Sequence, residues 1–157
     1  MRGYGGGLAA LAAVLAAACG DDAVPLEARY PIVEGIYSVQ TQTLASTCRL
    51  PTSDGPRIYV FFQDGSVVQF RPPSFQGGGR VELLDLGIQG ELETDGDFLL
   101  QGTYTIAGAD STSPGLIVDF SMEGRFEGDH LAGSERHLAS FPGGSCEVTF
   151  AFVGQEI

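Results

Sequence analysis

The chain has 157 residues, of which 20 are acidic and 8 basic, and its formal net charge at pH 7 is −12. This acidity argues against nucleic-acid binding, because a negative surface repels phosphates. All eight basic residues are arginine, so Schiff-base catalysis and Walker-type phosphate binding, which need lysine, are excluded.

The N-terminal segment is an apolar run behind Arg2. Residues 8–18 form eleven apolar positions, a length within the range of a secretory signal and too short to span a bilayer. The sequence therefore predicts a signal peptide over residues 1–18. An ordinary signal peptide is one reading, because Ala16 and Ala18 form an A-x-A cleavage site.

A second reading comes from the segment Leu15-Ala16-Ala17-Ala18-Cys19, which resembles the lipobox of bacterial lipoproteins, with its leucine one residue earlier than in that family. The resemblance implies cleavage before Cys19 and acylation of that cysteine. Several acyl chains anchor a protein permanently. Residues 19–32 would then be a lipid-anchored tether, and Gly20 after the cysteine implies an outer-membrane location in the bacterial cell envelope.

The cysteine count bears on the same choice. The chain has three cysteines, and an odd number in a secreted protein leaves one thiol to explain. If Cys19 is acylated, Cys48 and Cys146 remain to form a disulfide in an oxidising compartment. If it is not, one thiol stays free or pairs between chains. A redox or metal pair is disfavoured, because no C-x-x-C spacing occurs.

The rest of the chain, residues 33–157, is predicted to be a single all-β domain. The clearest strand is Leu116–Phe126, which alternates apolar and mostly polar residues over its whole length. Phe98–Ile106 and Cys146–Phe152 repeat this pattern. These three runs are expected to line a common interior.

Tight turns connect the strands. Asp64-Gly65 is a strong hairpin signal between Arg57–Gln63 and Ser66–Arg71. Pro72–Gly79 and Gly108–Gly115 are predicted to be longer loops. Eight or nine short antiparallel strands in sequential order indicate a small up-and-down β-barrel, with a β-sandwich as the alternative. Further strand candidates are Gly35–Thr41, Arg80–Leu86, Glu91–Glu93 and Leu131–Leu138.

The first strand opens with Gly35-Ile36-Tyr37. This tripeptide resembles the Gly-x-Trp motif of lipocalins and their bacterial lipoprotein relatives, with tyrosine in place of tryptophan. The resemblance implies a similar barrel shape, and it carries no ligand residues with it.

The barrel interior is the candidate binding region. An eight-stranded barrel is either filled by its own side chains or holds one small ligand, and a cavity of about 300 Å³ or more would favour the ligand. The predicted ligand-lining residues are Phe62, Phe70, Phe98, Tyr104, Phe120 and Phe150. Further predicted interior residues are Val60, Leu100, Leu116, Val118 and Phe152.

Other candidate sites have simpler explanations. His130 and His137 lie an odd number of residues apart, so on one strand they face opposite sides. His137 shares a face with Glu135, but Glu-x-His is a weak metal signal, and solvated histidines are the expectation. Asp95-Gly96-Asp97 is typical of a turn. The sequence predicts no metal site and no cofactor.

No catalytic motif occurs in the chain, so the sequence predicts a protein that is not an enzyme. The leading expectation is a structural or partner-binding lipoprotein, with Phe75 and Phe141 as candidates for an exposed apolar patch. The first alternative is a lipocalin-like carrier of a small apolar ligand. The second is a hydrolase with an acidic cleft, in which carboxylates converge in space.

Overall fold

A computed structural model describes residues 30–48, 54–76, 80–106 and 115–157. The described residues form β-strands joined by turns and short irregular segments, and they contain no helix long and apolar enough to cross a membrane. The strands are β1 (Gly35–Ser46), β2 (Gly55–Asp64), β3 (Val67–Phe70), β4 (Pro73–Gln76), β5 (Arg80–Leu83), β6 (Ile88–Leu92), β7 (Asp97–Ile106), β8 (Leu116–Glu127), β9 (His130–Phe141) and β10 (Gly144–Glu156).

Eight of these strands close into an antiparallel barrel in the order β1-β10-β9-β8-β7-β6-β3-β2. Consecutive strands pair along most of the ring, β3 pairs with β6, and β1 closes the ring by pairing with both β2 and β10. The two remaining strands, β4 and β5, form a separate hairpin between β3 and β6. The predicted up-and-down barrel is confirmed, and the sandwich alternative is wrong.

Glycines with positive φ make the tight turns. Gly65 has φ 62° in the β2–β3 turn and Gly128 has φ 63° in the β8–β9 turn. Glycine adopts this left-handed conformation without the steric cost that a Cβ brings. The hairpin predicted at Asp64-Gly65 is therefore confirmed.

One end of the barrel is closed by a packed aromatic core. Phe61 contacts the rings of Tyr37, Phe98 and Phe126 at centroid distances between 5.2 and 6.4 Å. These edge-to-face and tilted arrangements are the favoured geometry of aromatic pairs. The three alternating runs in β7, β8 and β10 line this interior as predicted. Other buried core residues are Val33, Val39, Val68, Leu92, Leu100, Met122, Leu131 and Phe152.

The inward face of β2 differs from the prediction. Val60 and Phe62 are predicted to lie inside, but Tyr59 and Phe61 form the core cluster instead. Val60 is buried outside that cluster, and Phe62 lies beneath the guanidinium of Arg71. The run from Ile58 to Phe62 is apolar at every position, so alternation cannot choose its inner face. Pairing with β1 and β3 chooses it, because Tyr59 lies opposite Tyr37 and Phe61 opposite Phe70.

Two loop and strand predictions also change. The segment Pro72–Gly79, predicted as a loop, contains strand β4. The sixth strand begins at Ile88, earlier than the predicted Glu91–Glu93. Most of the predicted loop Gly108–Gly115 lies outside the described residues.

The predicted disulfide is present. Cys48 and Cys146 are bonded, with their Cα atoms 4.9 Å apart. The bond joins the segment after β1 to the start of β10, across 98 positions of sequence. It lies at the end of the barrel opposite the aromatic core, beside the opening described below.

Candidate functional site

The barrel is filled at one end and hollow at the other. Two adjoining cavities, of about 420 and 740 Å³, lie inside the hollow end and share Arg57, Tyr104 and His137 in their walls. We call this combined space the cup. A groove of about 490 Å³ also lies on the outer surface of β6 and β7, away from the barrel interior.

The walls of the cup are mainly apolar because the inward positions of β6 to β10 continue the core pattern toward the opening. The disulfide of Cys48 and Cys146 forms part of the rim. Apolar wall residues on one side are Phe70, Leu84, Leu86, Ile88 and Phe120. On the other side they are Ile106, Leu116, Val118, Ala139, Val148 and Phe150.

A buried carboxylate lies at the floor of the cup. Glu135 on β9 is only 2% exposed, and both of its oxygens accept strong hydrogen bonds. Arg57 Nη1 donates to Oε1 at 2.6 Å, and the Tyr59 hydroxyl donates to Oε2 at 2.6 Å. A buried charge is tolerated only when it is paired and hydrogen-bonded, and Glu135 meets both conditions.

His137 lies beside this carboxylate, two residues along β9. Its Nδ1 is hydrogen-bonded to the Tyr104 hydroxyl at 3.1 Å. Its Nε2 lies 3.3 Å from Glu135 Oε1, but it is buried and makes no regular hydrogen bond to the described residues. Phe120 packs against the imidazole ring edge to face, at a centroid distance of 4.9 Å.

The electrostatics of the floor favour an ionised Glu135. Burial by itself would raise the pKa of this carboxyl, but the close contact with His137, the hydrogen bond from Tyr59 and the charge of Arg57 outweigh it and lower the pKa. The opposite holds for the phenols. Burial raises the pKa of Tyr59, as do the charge and hydrogen bond of Glu135, and burial also raises the pKa of Tyr104.

Arg57 reaches from the floor into the open space. Its side chain is 28% exposed, and its guanidinium lies over the ring of Phe150 at 4.5 Å from the centroid. Such cation–π contacts hold the planar group in a fixed orientation. The charge of Arg57 is therefore balanced by Glu135, and one face of its guanidinium packs against the Phe150 ring.

Four of the six predicted ligand-lining residues come together in the cup, namely Phe70, Tyr104, Phe120 and Phe150. Phe62 does not, because it faces outward. Phe98 does not, because it belongs to the packed core at the closed end. Cys19, the predicted lipidation site, lies outside the described residues.

The prediction for the histidines is half right. His130 and His137 do face opposite sides of β9, and His130 is exposed. His137, however, is not solvated, because it is only 20% exposed and contacts Glu135 inside the barrel. Glu-x-His on one strand face was the available signal, and the sequence could not show that this face is the inner one.

Arg57 and Tyr59 are the residues that the sequence did not single out. They lie 78 and 76 positions before Glu135 in the chain, and only closure of the barrel brings β2 opposite β9. Across the residues that the structure describes, no group of three or more His, Cys, Asp or Glu side chains is placed to hold a metal ion. Comparison of the chain with protein-family models, curated proteins and solved structures found no match.

Proposed function

We propose that this protein is a lipid-anchored carrier of the bacterial cell envelope that binds a small, largely apolar ligand in the cup. The observation that carries the proposal is the hollow interior at one end of the barrel. Its larger cavity of about 740 Å³ falls within the usual size range of small-molecule sites. The sequence alone favoured a structural role, and the volume of the cup reverses that order.

The composition of the cup supports a small molecule as the ligand. Sites of this kind combine an apolar wall with a few polar groups that orient the ligand. The cup has aliphatic and aromatic walls and one polar cluster at its floor, made by Arg57, Tyr59, Tyr104, Glu135 and His137. An apolar chain would lie along the walls with its polar end at this cluster.

The same geometry gives little support to hydrolysis. A glycosidase needs two carboxyl groups, one of them with a raised pKa. Among the described wall residues, Glu135 is the only carboxylate. Its pKa is lowered, and hydrogen bonds occupy both of its oxygens. We therefore propose a binding role without catalysis.

The membrane anchor belongs to the proposal as well. It is supported by the lipobox-like segment that ends at Cys19 and by the disulfide of Cys48 and Cys146, which uses the other two cysteines. A disulfide is typical of an oxidising compartment such as the periplasm. We propose that acyl chains on Cys19 hold the protein at a membrane of the envelope, with the outer membrane favoured by Gly20.

A partner protein at the mouth of the barrel is the second candidate. Ile106 and Phe141 at the rim are 47% and 41% exposed and would give a partner two large apolar side chains beside the mouth. The side chain of Phe75, the other predicted patch residue, lies outside the described part of the chain. A rim of this kind fits ligand entry equally well, so the ligand experiment decides between the two.

The test measures ligand binding to the full chain carrying Cys19→Ser, which cannot be acylated and needs no detergent. We expect the uncharged dye Nile red to bind with increased fluorescence, and solvent extraction of the purified protein to release a bound lipid. Absence of both dye binding and a copurifying molecule would overturn the carrier proposal and leave the partner-binding role.

Two alanine-to-phenylalanine substitutions on β9 test where the dye binds. Ala139 faces the cup, and Ala132 is exposed on the outer surface of the same strand. We expect Ala139→Phe to abolish most of the dye binding by filling the cup. Ala132→Phe, which adds the same ring outside the barrel, should leave binding unchanged. Equal effects of the two variants would place the dye elsewhere.

A further inference from the structure

We propose that the cup selects uncharged amphiphiles, with an apolar chain and a terminal hydroxyl or carbonyl group, over carboxylates and amines of the same length. This inference rests on the carrier function proposed above and assigns the chemical class of its ligand. Three properties of the floor support it: its charge balance, its hydrogen-bonding groups and its exclusion from water.

The charges at the floor are already balanced within the protein. Glu135 and Arg57 form an ion pair at 2.6 Å, and the remaining carboxylate oxygen is held by the Tyr59 hydroxyl. The guanidinium face is covered by the Phe150 ring. A ligand charge arriving here would find no uncompensated partner of opposite sign.

Either sign of ligand charge would therefore disturb the pair. A carboxylate that approaches Arg57 comes close to Glu135, and two carboxylates in a buried site repel each other strongly. An ammonium group that approaches Glu135 meets Arg57 in the same way. Moving either charged group out of water into this site also carries a desolvation cost that nothing at the floor offsets.

Uncharged polar groups meet a better match. His137 lines the cup, and its buried Nε2 lies 3.3 Å from Glu135 Oε1 without a regular hydrogen bond among the described residues. The Tyr104 hydroxyl, bonded to His137 Nδ1, also lines the cup and keeps further hydrogen-bonding capacity. A ligand hydroxyl or carbonyl can bond to these groups without changing the net charge of the floor.

The experiment compares three ligands that differ only in their end group: decanol, decanoate and decylamine. At neutral pH the second is an anion and the third a cation. The affinity of each ligand is measured by how well it displaces Nile red from the full chain carrying Cys19→Ser. We expect decanol to bind about tenfold more tightly than either charged ligand, which corresponds to about 1.4 kcal/mol. Binding of decanoate or decylamine as tight as that of decanol would overturn the inference.

Two reciprocal substitutions test the residues responsible. We expect Glu135→Gln to increase decanoate affinity about tenfold, because the repulsion between the ligand carboxylate and the Glu135 carboxylate beside Arg57 is then removed. Arg57→Gln should increase decylamine affinity for the converse reason. Glu123→Gln is the matched control, because this glutamate is exposed on the outer face of β8, and it should leave the ranking unchanged.

The outcomes distinguish a failure of the proposed charge selectivity from a failure of the proposed carrier function. If Nile red binds and all three ligands displace it equally, the charge selectivity fails while the carrier function stands. If neither the dye nor any ligand binds, the carrier function itself fails. Should a variant not fold, as judged by circular dichroism, the ranking measured on the chain with Glu135 and Arg57 intact still decides.

Discussion

Among single residues, Glu135 stands out because it is a charged side chain buried inside an apolar barrel. It is a carboxylate in an apolar interior, held by a guanidinium, a phenol and a neighbouring imidazole. Such an arrangement stabilises a fold less than apolar packing would, but removing the carboxylate takes away the acceptor of the Arg57 and Tyr59 hydrogen bonds. Substitution of Glu135 should therefore have a large effect on stability.

The first prediction concerns Glu135→Gln. We expect it to lower the free energy of unfolding at neutral pH by about 1.5–3 kcal/mol, because the half-buried Arg57 guanidinium and the Tyr59 hydroxyl lose a charged acceptor. Chemical denaturation followed by circular dichroism measures this loss. Glu123→Gln on the outer surface is the control and should stay within about 0.5 kcal/mol of the unaltered chain.

The second prediction concerns pH. The pKa of Glu135 is lower in the folded protein than its usual value of 4.5. A carboxyl whose pKa falls on folding stabilises the native state above its unfolded pKa and loses this contribution as pH falls through the folded value. The stability difference between the unaltered chain and Glu135→Gln should thus be constant near neutrality and shrink below about pH 4.5. A difference that grows on acidification would contradict the assignment.

At the scale of strands, close backbone approach depends on glycine at particular inward positions. Gly133 on β9 lies opposite Gly124 on β8. A Cβ at position 133 would come within 2.1 Å of the Glu123 carbonyl oxygen and 2.7 Å of the Phe152 ring. The ring of Phe152 therefore occupies the space that a side chain would take.

The third prediction follows from this contact. We expect Gly133→Ala to destabilise the protein by about 2–3 kcal/mol, because backbone and a packed ring must both shift. Gly144→Ala is the matched control, since its Cβ would lie 3.5 Å from the Phe141 ring in ordinary contact. Denaturation midpoints of the two variants provide the measurement, and equal midpoints would show that the sheet adjusts freely.

The disulfide acts between elements and supplies the fourth prediction. It closes a loop across 98 positions between the segment after β1 and strand β10. In the chain-entropy account, a loop of this length contributes up to about 4.7 kcal/mol. We expect replacement of both Cys48 and Cys146 by serine to lower the stability by about 2–4 kcal/mol. The same loss should follow from adding reductant to the unaltered chain, and no loss in either experiment would contradict the prediction.

At the scale of the whole molecule, the residues that precede β1 lie at the closed end of the barrel. Val33 is buried in the core, and its N–H donates to the Gln63 side chain at 2.8 Å. Gln63 donates in turn to the Pro31 carbonyl at 3.0 Å. The cup opens at the other end, so the described chain enters the barrel on the side opposite the mouth of the cup.

The fifth prediction tests this anchor. In a bacterium that acylates lipoproteins, we expect the chain to fractionate with membranes and its N-terminal peptide to carry lipid on Cys19. Cys19→Ser should release the protein into the soluble fraction while Nile red binding persists, because the described wall residues of the cup begin at Thr47. Mass spectrometry of the mature N-terminus measures the modification, and an unmodified Cys19 would contradict the anchor.

Much of the architecture could be predicted from local sequence alone. The alternation of Leu116–Phe126 defines an inner face by itself, since a strand exposes its two sides with a period of two. Asp64-Gly65 marks a hairpin through the conformational freedom of glycine. Each of these signals is contained in one short stretch of the chain, so no knowledge of distant neighbours is needed to interpret it.

The candidate site depended on the tertiary structure. Nothing local distinguishes the inner from the outer face of β2, where Ile58 to Phe62 are all apolar, and pairing with β1 and β3 determines it. The ion pair of Arg57 and Glu135 joins residues 78 positions apart, and closure of the ring creates it. The sequence therefore determined that strands form and where they turn, since those are local preferences. The pairing of distant strands decided that a hollow exists and which side chains face it.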